Sequence, residues 1–190
     1  MKKLIGIFLV IISISGCFPS LRISESEYQI FKLTSEIAES RDRDFFVYLP
    51  PLWFKTKDVN YDGNEIWLVH ENYSAVITIK KINLPKELKS NDDLERLLEI
   101  AKADAILHKR KYEGSFRIIL SPKLYQNGNF IYSSFEYNFG NKQIARVMIF
   151  QKGENFFECL AYSTEKGQSK IPLIELYSVQ ESVTASLSLR

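Results

Sequence analysis

The sequence predicts an α+β fold in which an antiparallel β-sheet of about six to seven strands is covered by helices on both faces. Three observations lead to this prediction. Turns that contain Gly and Asn separate apolar, aromatic-rich runs in the second half of the chain. Two segments carry apolar residues at helical spacing, one before these runs and one after them. One strand-like run, residues 143–151, is apolar at both alternating sets of positions, which indicates that both of its faces are covered.

The start of the chain has the layout of an export signal. Two lysines precede an uncharged apolar stretch, residues 4–14, and Ser15-Gly16 then leads to Cys17. This stretch is much shorter than the about 20 apolar residues that cross a bilayer. The pattern resembles a bacterial lipoprotein signal, which implies that residues 1–16 are removed and that Cys17 receives a diacylglycerol. An ordinary cleaved signal without lipid is the alternative.

The charge balance restricts the classes of partner that the protein can attract. The full chain carries 25 Lys and Arg against 23 Asp and Glu, and removal of the two leader lysines balances the two signs. A balanced protein has no long-range field to attract nucleic acid, so that partner class is not expected.

Phe18 follows the cysteine, at the position where lipoproteins retained in the inner membrane commonly have aspartate. The outer membrane is therefore slightly favoured as the location.

The domain organisation follows the change in composition. Residues 17–44 are polar, and we expect them to form a lipidated N-terminus and a spacer, in which residues 28–33 fit either a short strand or a short helix. A single α+β domain is expected at residues 45–190. Its first predicted strand, residues 45–49, ends at Pro50-Pro51 because proline cannot continue the ladder.

The remaining elements are predicted by periodicity and by turns. Alternating apolar runs predict a hairpin from residues 65–70 and 75–79. An apolar stripe predicts a helix from Asp92 to about Lys109, and a second helical pattern covers residues 172–188. The strands of the meander are predicted at residues 116–120, 130–139, 143–151 and 155–163.

The layout resembles a known family. The run Phe46-Val47-Tyr48-Leu49-Pro50-Pro51-Leu52-Trp53 is similar to the strand followed by Pro-x-Gly-Trp in PsbP-type proteins, with Leu52 at the glycine position. The hairpin, the acidic helix start at Asp92-Asp93 and the terminal helix extend the resemblance over residues 45–187. The chain therefore resembles a lipoprotein with a PsbP-like (DcrB-like) domain. The resemblance implies an α/β/α sandwich and a non-catalytic binding or assembly role, and it transfers no functional residues.

One short motif has a chemical interpretation. Asp58, Asn60 and Asp62 alternate as oxygen ligands do at the front of a calcium loop, and Gly63 permits the sharp turn. Val69 occupies the position of the bidentate Glu of a full loop. An ordinary Asp-Gly hairpin turn is therefore the alternative to a weak calcium site.

Other reactive side chains give no motif. His70 and His108 have no second His or Cys at ligand spacing, so zinc is not predicted. Cys159 lies in a strand-like run and is expected to be a buried thiol. Carboxylates are frequent, but no two of them stand out as an acid and base pair. The basic end of the first helix, Lys109 to Lys111, fits a solvated cap or a surface for anionic lipid.

The aromatic residues are the remaining feature with a functional interpretation. Most are expected in the core, and the alternative is a surface that binds a partner. The residues concerned are Tyr125, Phe130, Tyr132, Phe135, Tyr137 and Phe139.

Together these observations predict a lipid-anchored protein of the bacterial cell envelope with a non-catalytic binding or assembly domain. Its partner is an unidentified protein or small molecule. An envelope hydrolase and a weak calcium-binding module are the alternatives. An exposed aromatic patch would favour binding, whereas a deep cleft lined by ionisable groups with shifted pKa values would favour a hydrolase.

Overall fold

The computed structural model describes residues 21–56, 63–83, 92–140, 143–164 and 171–190. Within these ranges the chain forms an eight-stranded sheet, a three-stranded sheet and two helices. In chain order the elements are β1 (Ile23–Glu25), β2 (Ile37–Glu39), β3 (Phe45–Tyr48), β4 (Trp53–Lys55), β5 (Ile66–His70), β6 (Ala75–Ile82), α1 (Asp93–Lys111), β7 (Arg117–Asn127), β8 (Phe130–Phe139), β9 (Gln143–Lys152), β10 (Asn155–Ser163), α2 (Leu173–Ala185) and β11 (Ser188–Leu189).

The large sheet has the strand order β1-β7-β8-β9-β10-β6-β5-β4, and the small sheet has the order β11-β3-β2. β1 pairs with β7 in parallel, and the other described pairs are antiparallel. The large sheet is therefore mixed, and its centre is the predicted meander. The predicted α+β class is confirmed.

Most predicted elements are confirmed close to their expected bounds. β8 and β10 have the predicted limits, and the hairpin forms from β5 and β6. The first helix begins where the acidic sequence indicates, because the Asp92 side chain accepts a hydrogen bond from the Leu94 backbone N–H at 2.8 Å.

β7 is longer than the predicted strand. It continues from Leu120 to Asn127, and its register with β8 shifts between Leu120 and Lys123. Pro122 lies inside this irregular stretch and has no backbone N–H for the ladder. The predicted strand ends at Leu120, two residues before the proline, whereas an irregular stretch lets β7 continue past it.

Part of the predicted spacer is built into the fold. β1 and β2 lie within residues 17–44 and pair with β7 and β3. Residues 28–33 form neither of the two predicted elements, a strand or a helix. Their backbone is satisfied partly by distant groups, since the Phe31 N–H donates to Ser182 Oγ at 2.7 Å.

The core consists of two clusters that divide the side chains of β9 between them. Ala145, Val147 and Ile149 belong to a cluster with the buried face of α1, which we call the α1 core. Met148 and Phe150 belong to a cluster with α2, the α2 core. Because successive strand residues point to opposite faces, β9 buries apolar side chains on both faces of the sheet.

The C-terminal helix is shorter than predicted. α2 ends at Ala185 instead of continuing to Ser188, and Ser188 and Leu189 pair with β3 as β11. Leu187 keeps the helical spacing but is buried beyond the helix end. No helix among the described residues is both long and apolar enough to cross a bilayer.

Candidate functional site

A cluster of ionisable side chains is enclosed between α1 and β10. Asp104 and His108 lie one helical turn apart on the buried side of α1, and Glu158 lies on β10. Their exposed fractions are 7%, 7% and 3%. Helical spacing places the first two side chains together, and the alternation of β10 directs Glu158 away from the α2 core that contains Phe157 and Cys159.

The three side chains converge on the imidazole Nε2 atom. His108 Nε2 lies 3.4 Å from Asp104 Oδ2 and 3.7 Å from Glu158 Oε1. On the other side of the ring, Nδ1 lies 3.0 Å from the Tyr137 hydroxyl oxygen. Lys80 Nζ lies 2.6 Å from Glu158 Oε2. Every member of the cluster except Lys80 is buried.

Mutual interaction shifts the pKa values in this cluster. Burial disfavours a charged imidazole, but Asp104 and Glu158 outweigh burial and raise the pKa of His108 to about 9. Burial is the main cause that raises the pKa of Asp104 to about 6. Burial also acts to raise the pKa of Glu158, but His108 and Lys80 outweigh it and lower that pKa to about 2.

The enclosed position restricts what this cluster can do. Cavities of about 140, 370 and 610 Å³ lie among the described residues, and none of these three is lined by Asp104, His108 or Glu158. A substrate in any of them does not reach the imidazole. The three side chains can instead hold a shared proton or a metal ion, because one ligand atom from each lies within 4.8 Å of the others.

A second buried network joins β9 to α2. Arg146 and Glu181 are each 2% exposed, and Arg146 Nη2 donates to Glu181 Oε1 at 2.8 Å. The guanidinium also lies over the rings of Tyr28, Tyr177 and Tyr132, at 4.4, 5.1 and 5.6 Å from their centroids.

Glu181 receives further hydrogen bonds from the N-terminal segment and the sheet. Ser26 Oγ lies 2.8 Å from each carboxylate oxygen, and Asn127 Nδ2 donates to Oε2 at 2.8 Å. The Tyr132 hydroxyl donates to Oε1. The network therefore holds the segment after β1 against α2, and we regard its role as structural.

The exposed apolar side chains form a different kind of site. Leu52, Phe54 and Tyr73, which we call the edge patch, are 59%, 37% and 60% exposed. The Phe54 and Tyr73 rings pack edge to face with centroids 6.0 Å apart. Phe54 belongs to β4, the last strand in the order of the described large sheet. Paired aromatic rings at a sheet edge are suited to contact with another molecule.

Comparison with solved structures decides the fold family. The chain matches the solution structure of cyanobacterial PsbP (CyanoP) from Synechocystis sp. PCC 6803 with a TM-score of 0.57 and 13% sequence identity. The match covers 87% of this chain and 96% of that chain. The fold is PsbP-like. At this identity the PsbP-like fold is shared without any implication for activity.

Two further matches have lower scores. One is a structure from Bacteroides thetaiotaomicron, with a TM-score of 0.37, 16% identity, and coverage of 82% of this chain and 48% of that chain. The other is LpqN, involved in cell envelope biogenesis of Mycobacterium tuberculosis, with a TM-score of 0.45, 9% identity, and coverage of 81% and 89%. These scores add nothing to the PsbP-like assignment. No protein-family model and no curated protein matches the sequence.

The residues predicted to bind lipid or calcium stay predictions. Cys17, Asp58, Asn60 and Asp62 lie outside the residues that the structure describes. The structure does describe Cys159, which was predicted to be a buried thiol. Cys159 is a fully buried free thiol, as predicted, and burial raises its pKa to about 12.

The aromatic residues of the meander are mainly in the core, as predicted. Tyr132, Phe135 and Tyr137 are fully buried, and the others are partly buried against one of the two cores. Exposed aromatic surface occurs instead at the edge patch. The partly buried residues are Tyr125, Phe130 and Phe139.

The buried ionisable cluster was missed by sequence reasoning. A second His or Cys at metal-ligand spacing is the usual sequence signal for a histidine site, and this criterion does not find carboxylates. An Asp and a His four residues apart on a helix were a usable signal, since that spacing places both on one face. His70 lies elsewhere, with Nδ1 at 2.7 Å from Asn72 Oδ1. Nothing in the sequence around Glu158 indicates that it joins Asp104 and His108.

Proposed function

We propose that this protein is a lipid-anchored, non-catalytic binding module of the bacterial cell envelope, tethered by an acyl group on Cys17. The sequence before Cys17 supports the tether. The edge patch is the observation that supports binding. The PsbP-like fold is compatible with this role but does not specify it.

The enclosed cluster supports a role without catalysis. General acid or base catalysis requires the reacting proton to lie within hydrogen-bond reach of the side chain. Asp104, His108 and Glu158 have shifted pKa values, but they face one another inside the domain and line none of the three cavities described above. A hydrolase needs such groups in an open cleft.

The edge patch is suited to a protein partner. β4 is three residues long and offers little backbone for strand addition, so the side chains of Leu52, Phe54 and Tyr73 supply the contact. Exposed polar residues flank them: Lys55 follows Phe54 in the chain, and the Glu71 backbone N–H donates to the Leu52 carbonyl oxygen. An apolar centre with a polar rim is the usual arrangement of a transient protein interface.

We infer an orientation of the domain on the membrane from the direction of β1 and the position of the end of α1. β1 runs parallel to the last part of β7, with Ile23 beside Leu124, so the chain before β1 leads toward the start of β7. Leu21 packs on the α1 core. Residues 112–116 connect α1 to β7, so the C-terminal end of α1 lies near the start of β7, toward which the chain before β1 leads. Four peptide units separate Cys17 from Leu21, and they span at most about 14 Å.

The surface at the C-terminal end of α1 fits an anionic bilayer. Ile106 and Leu107 are 54% and 59% exposed, and exposed Lys109, Arg110 and Lys111 follow them. Each basic residue near an anionic membrane surface contributes about 1 kcal/mol, and the two aliphatic side chains add apolar contact. We therefore place this end of α1 toward the lipid and the edge patch toward the partner.

The test uses the full chain expressed with its own leader in a bacterial host. Mass spectrometry of the N-terminal peptide is expected to find acylated Cys17, and Cys17→Ser serves as the unlipidated control. A photo-crosslinking residue at position 107 is expected to capture lipid, and one at position 73 is expected to capture a protein. Unmodified Cys17 contradicts the tether, and equal lipid capture at both positions contradicts the orientation.

A weak calcium site is the second candidate, supported by Asp58, Asn60 and Asp62 in the sequence. Calorimetric titration of the detergent-solubilised chain with calcium tests it, with an Asp58→Asn/Asp62→Asn variant as control. Equal heats from the two proteins at millimolar calcium would contradict it.

A further inference from the structure

We propose that Asp104, His108 and Glu158 bind one divalent transition-metal ion of the zinc class inside the domain. The site lies between α1 and β10 and links the helix to the sheet. This inference is independent of the lipid anchor and of the edge patch. It assigns a structural metal to a domain whose proposed function requires no catalysis.

The unsatisfied donor atoms of Asp104 and His108 support a bound cation. Asp104 Oδ2 and His108 Nε2 are buried and have no hydrogen-bond partner among the described residues. Buried polar atoms are usually satisfied, because leaving one unpaired has a cost in free energy. Here two such atoms, on residues that are each 93% buried, point at each other and at Glu158. A cation between them satisfies both.

The distances between His108 Nε2 and the two carboxylate oxygens also support a bound cation. The Nε2 to oxygen separations of 3.4 and 3.7 Å exceed the usual length of an N–H···O hydrogen bond. Ligands at 2.0 to 2.2 Å from a tetrahedral ion are about 3.3 to 3.6 Å apart. The separations from Nε2 to the two oxygens are therefore close to those of ligands around an ion, and a shared proton would draw the nitrogen and an oxygen closer together.

The residues that contact the three ligands, Tyr137 and Lys80, orient them for a metal ion. Metal-bound histidines usually donate the other ring N–H to an outer partner, which orients the ring and selects the tautomer. The Tyr137 hydroxyl lies 3.0 Å from His108 Nδ1 and can accept this hydrogen bond. Nε2 then presents its lone pair to the ion. Lys80 holds the second oxygen of Glu158 at 2.6 Å and leaves Oε1 for the site.

The donor set limits the class of metal. One imidazole and two carboxylates suit zinc and neighbouring first-row divalent ions, whereas magnesium and calcium prefer oxygen alone and copper(I) prefers sulfur. With a neutral imidazole, the two carboxylates and Lys80 leave one net negative charge for the cation to offset. Burial of all three ligands indicates a structural site.

The experiment measures metal in the purified full-length protein. The wild type, isolated from cells grown with added zinc, is expected to contain about one ion per chain by elemental mass spectrometry. His108→Gln and Asp104→Asn are expected to lose it. His70→Gln is the matched control for the histidine, and Asp93→Asn, at an exposed position of α1, is the control for the aspartate. Both controls are expected to keep the metal.

Two further measurements keep the test decisive if a ligand variant does not fold. Tyr137→Phe preserves the ring and is expected to weaken zinc binding by about 10- to 100-fold. Wild-type protein loaded with Co²⁺ is expected to show visible d–d absorption. Metal-free wild type that gains no thermal stability from added zinc and shows no Co²⁺ spectrum would overturn the proposal, as would equal metal content in the wild type and a folded His108→Gln.

Discussion

Leu52 shows how a single residue connects the sequence resemblance to backbone geometry. It stands where PsbP-type proteins commonly have glycine, and its φ angle is +68°. Side chains with a Cβ atom are strained in this left-handed region, and glycine is not. The left-handed turn at position 52 is therefore made by a residue that fits it less well than glycine would.

Replacing Leu52 by glycine is expected to stabilise the protein by about 1 kcal/mol, because it removes the strain of the left-handed conformation. The Leu52 side chain is 59% exposed, so little packing is lost. Denaturant unfolding measures the change. Leu52→Ala is the control, since alanine shortens the side chain but keeps Cβ. Equal gains from alanine and glycine would contradict the explanation.

Glu136 gives a prediction that depends on pH. Burial is the main cause that raises its pKa above the ordinary value; Arg146 lowers the pKa, and Glu27 raises it further. The folded state therefore keeps the proton at a pH where the unfolded state has lost it, and stability falls as pH rises through that interval.

Glu136→Gln is accordingly expected to be more stable than the wild type at pH 7 and similar to it at pH 4. Thermal unfolding at the two pH values measures the difference. The control is Glu99→Gln, an exposed position on α1, which is expected to show no such change. A stabilisation that is the same at both pH values would contradict the assigned cause.

At the scale of elements, the Arg146–Glu181 pair joins the central strand β9 to α2. The pair is enclosed by tyrosine rings and connected through Ser26 to the segment that follows β1. This network orders an N-terminal segment that has no regular secondary structure of its own between β1 and β2.

Breaking this pair from one side is expected to be more harmful than removing both charges. Arg146→Met leaves Glu181 buried without its cation and is expected to cost about 3 to 5 kcal/mol. The double variant Arg146→Met/Glu181→Met is expected to recover part of that loss. A double-mutant cycle from denaturant unfolding measures the coupling, and strictly additive losses would contradict it.

At the scale of the whole molecule, Cys159 reports on global opening. Its thiol is fully buried in the α2 core, and it is the free thiol among the described residues. If Cys17 is acylated, its sulfur does not compete for a thiol reagent. Alkylation is therefore limited by unfolding of the domain.

The rate of Cys159 alkylation is expected to rise with denaturant in parallel with global unfolding followed by circular dichroism. Arg146→Met, which destabilises the same core, is expected to accelerate labelling in native buffer, and Asp93→Asn is expected to leave the rate unchanged. Rapid labelling of the wild type without denaturant would show that the core opens locally.

The sequence by itself determined the fold class, the meander, the hairpin, the first helix and the buried thiol. These features depend on local periodicity and turn residues, which act over a few positions. The same applies to the α1 start at Asp92, where the capping oxygen and the N–H that it accepts from are two residues apart.

Which distant side chains come into contact depends on the tertiary structure. Asp104 and Glu158 come together because α1 packs on the meander, and Arg146 meets Glu181 because β9 lies under α2. The short strands β1 and β11 form because partner strands far along the chain offer free backbone groups. Such contacts depend on packing across the whole domain, so no local pattern of residues marks them in advance.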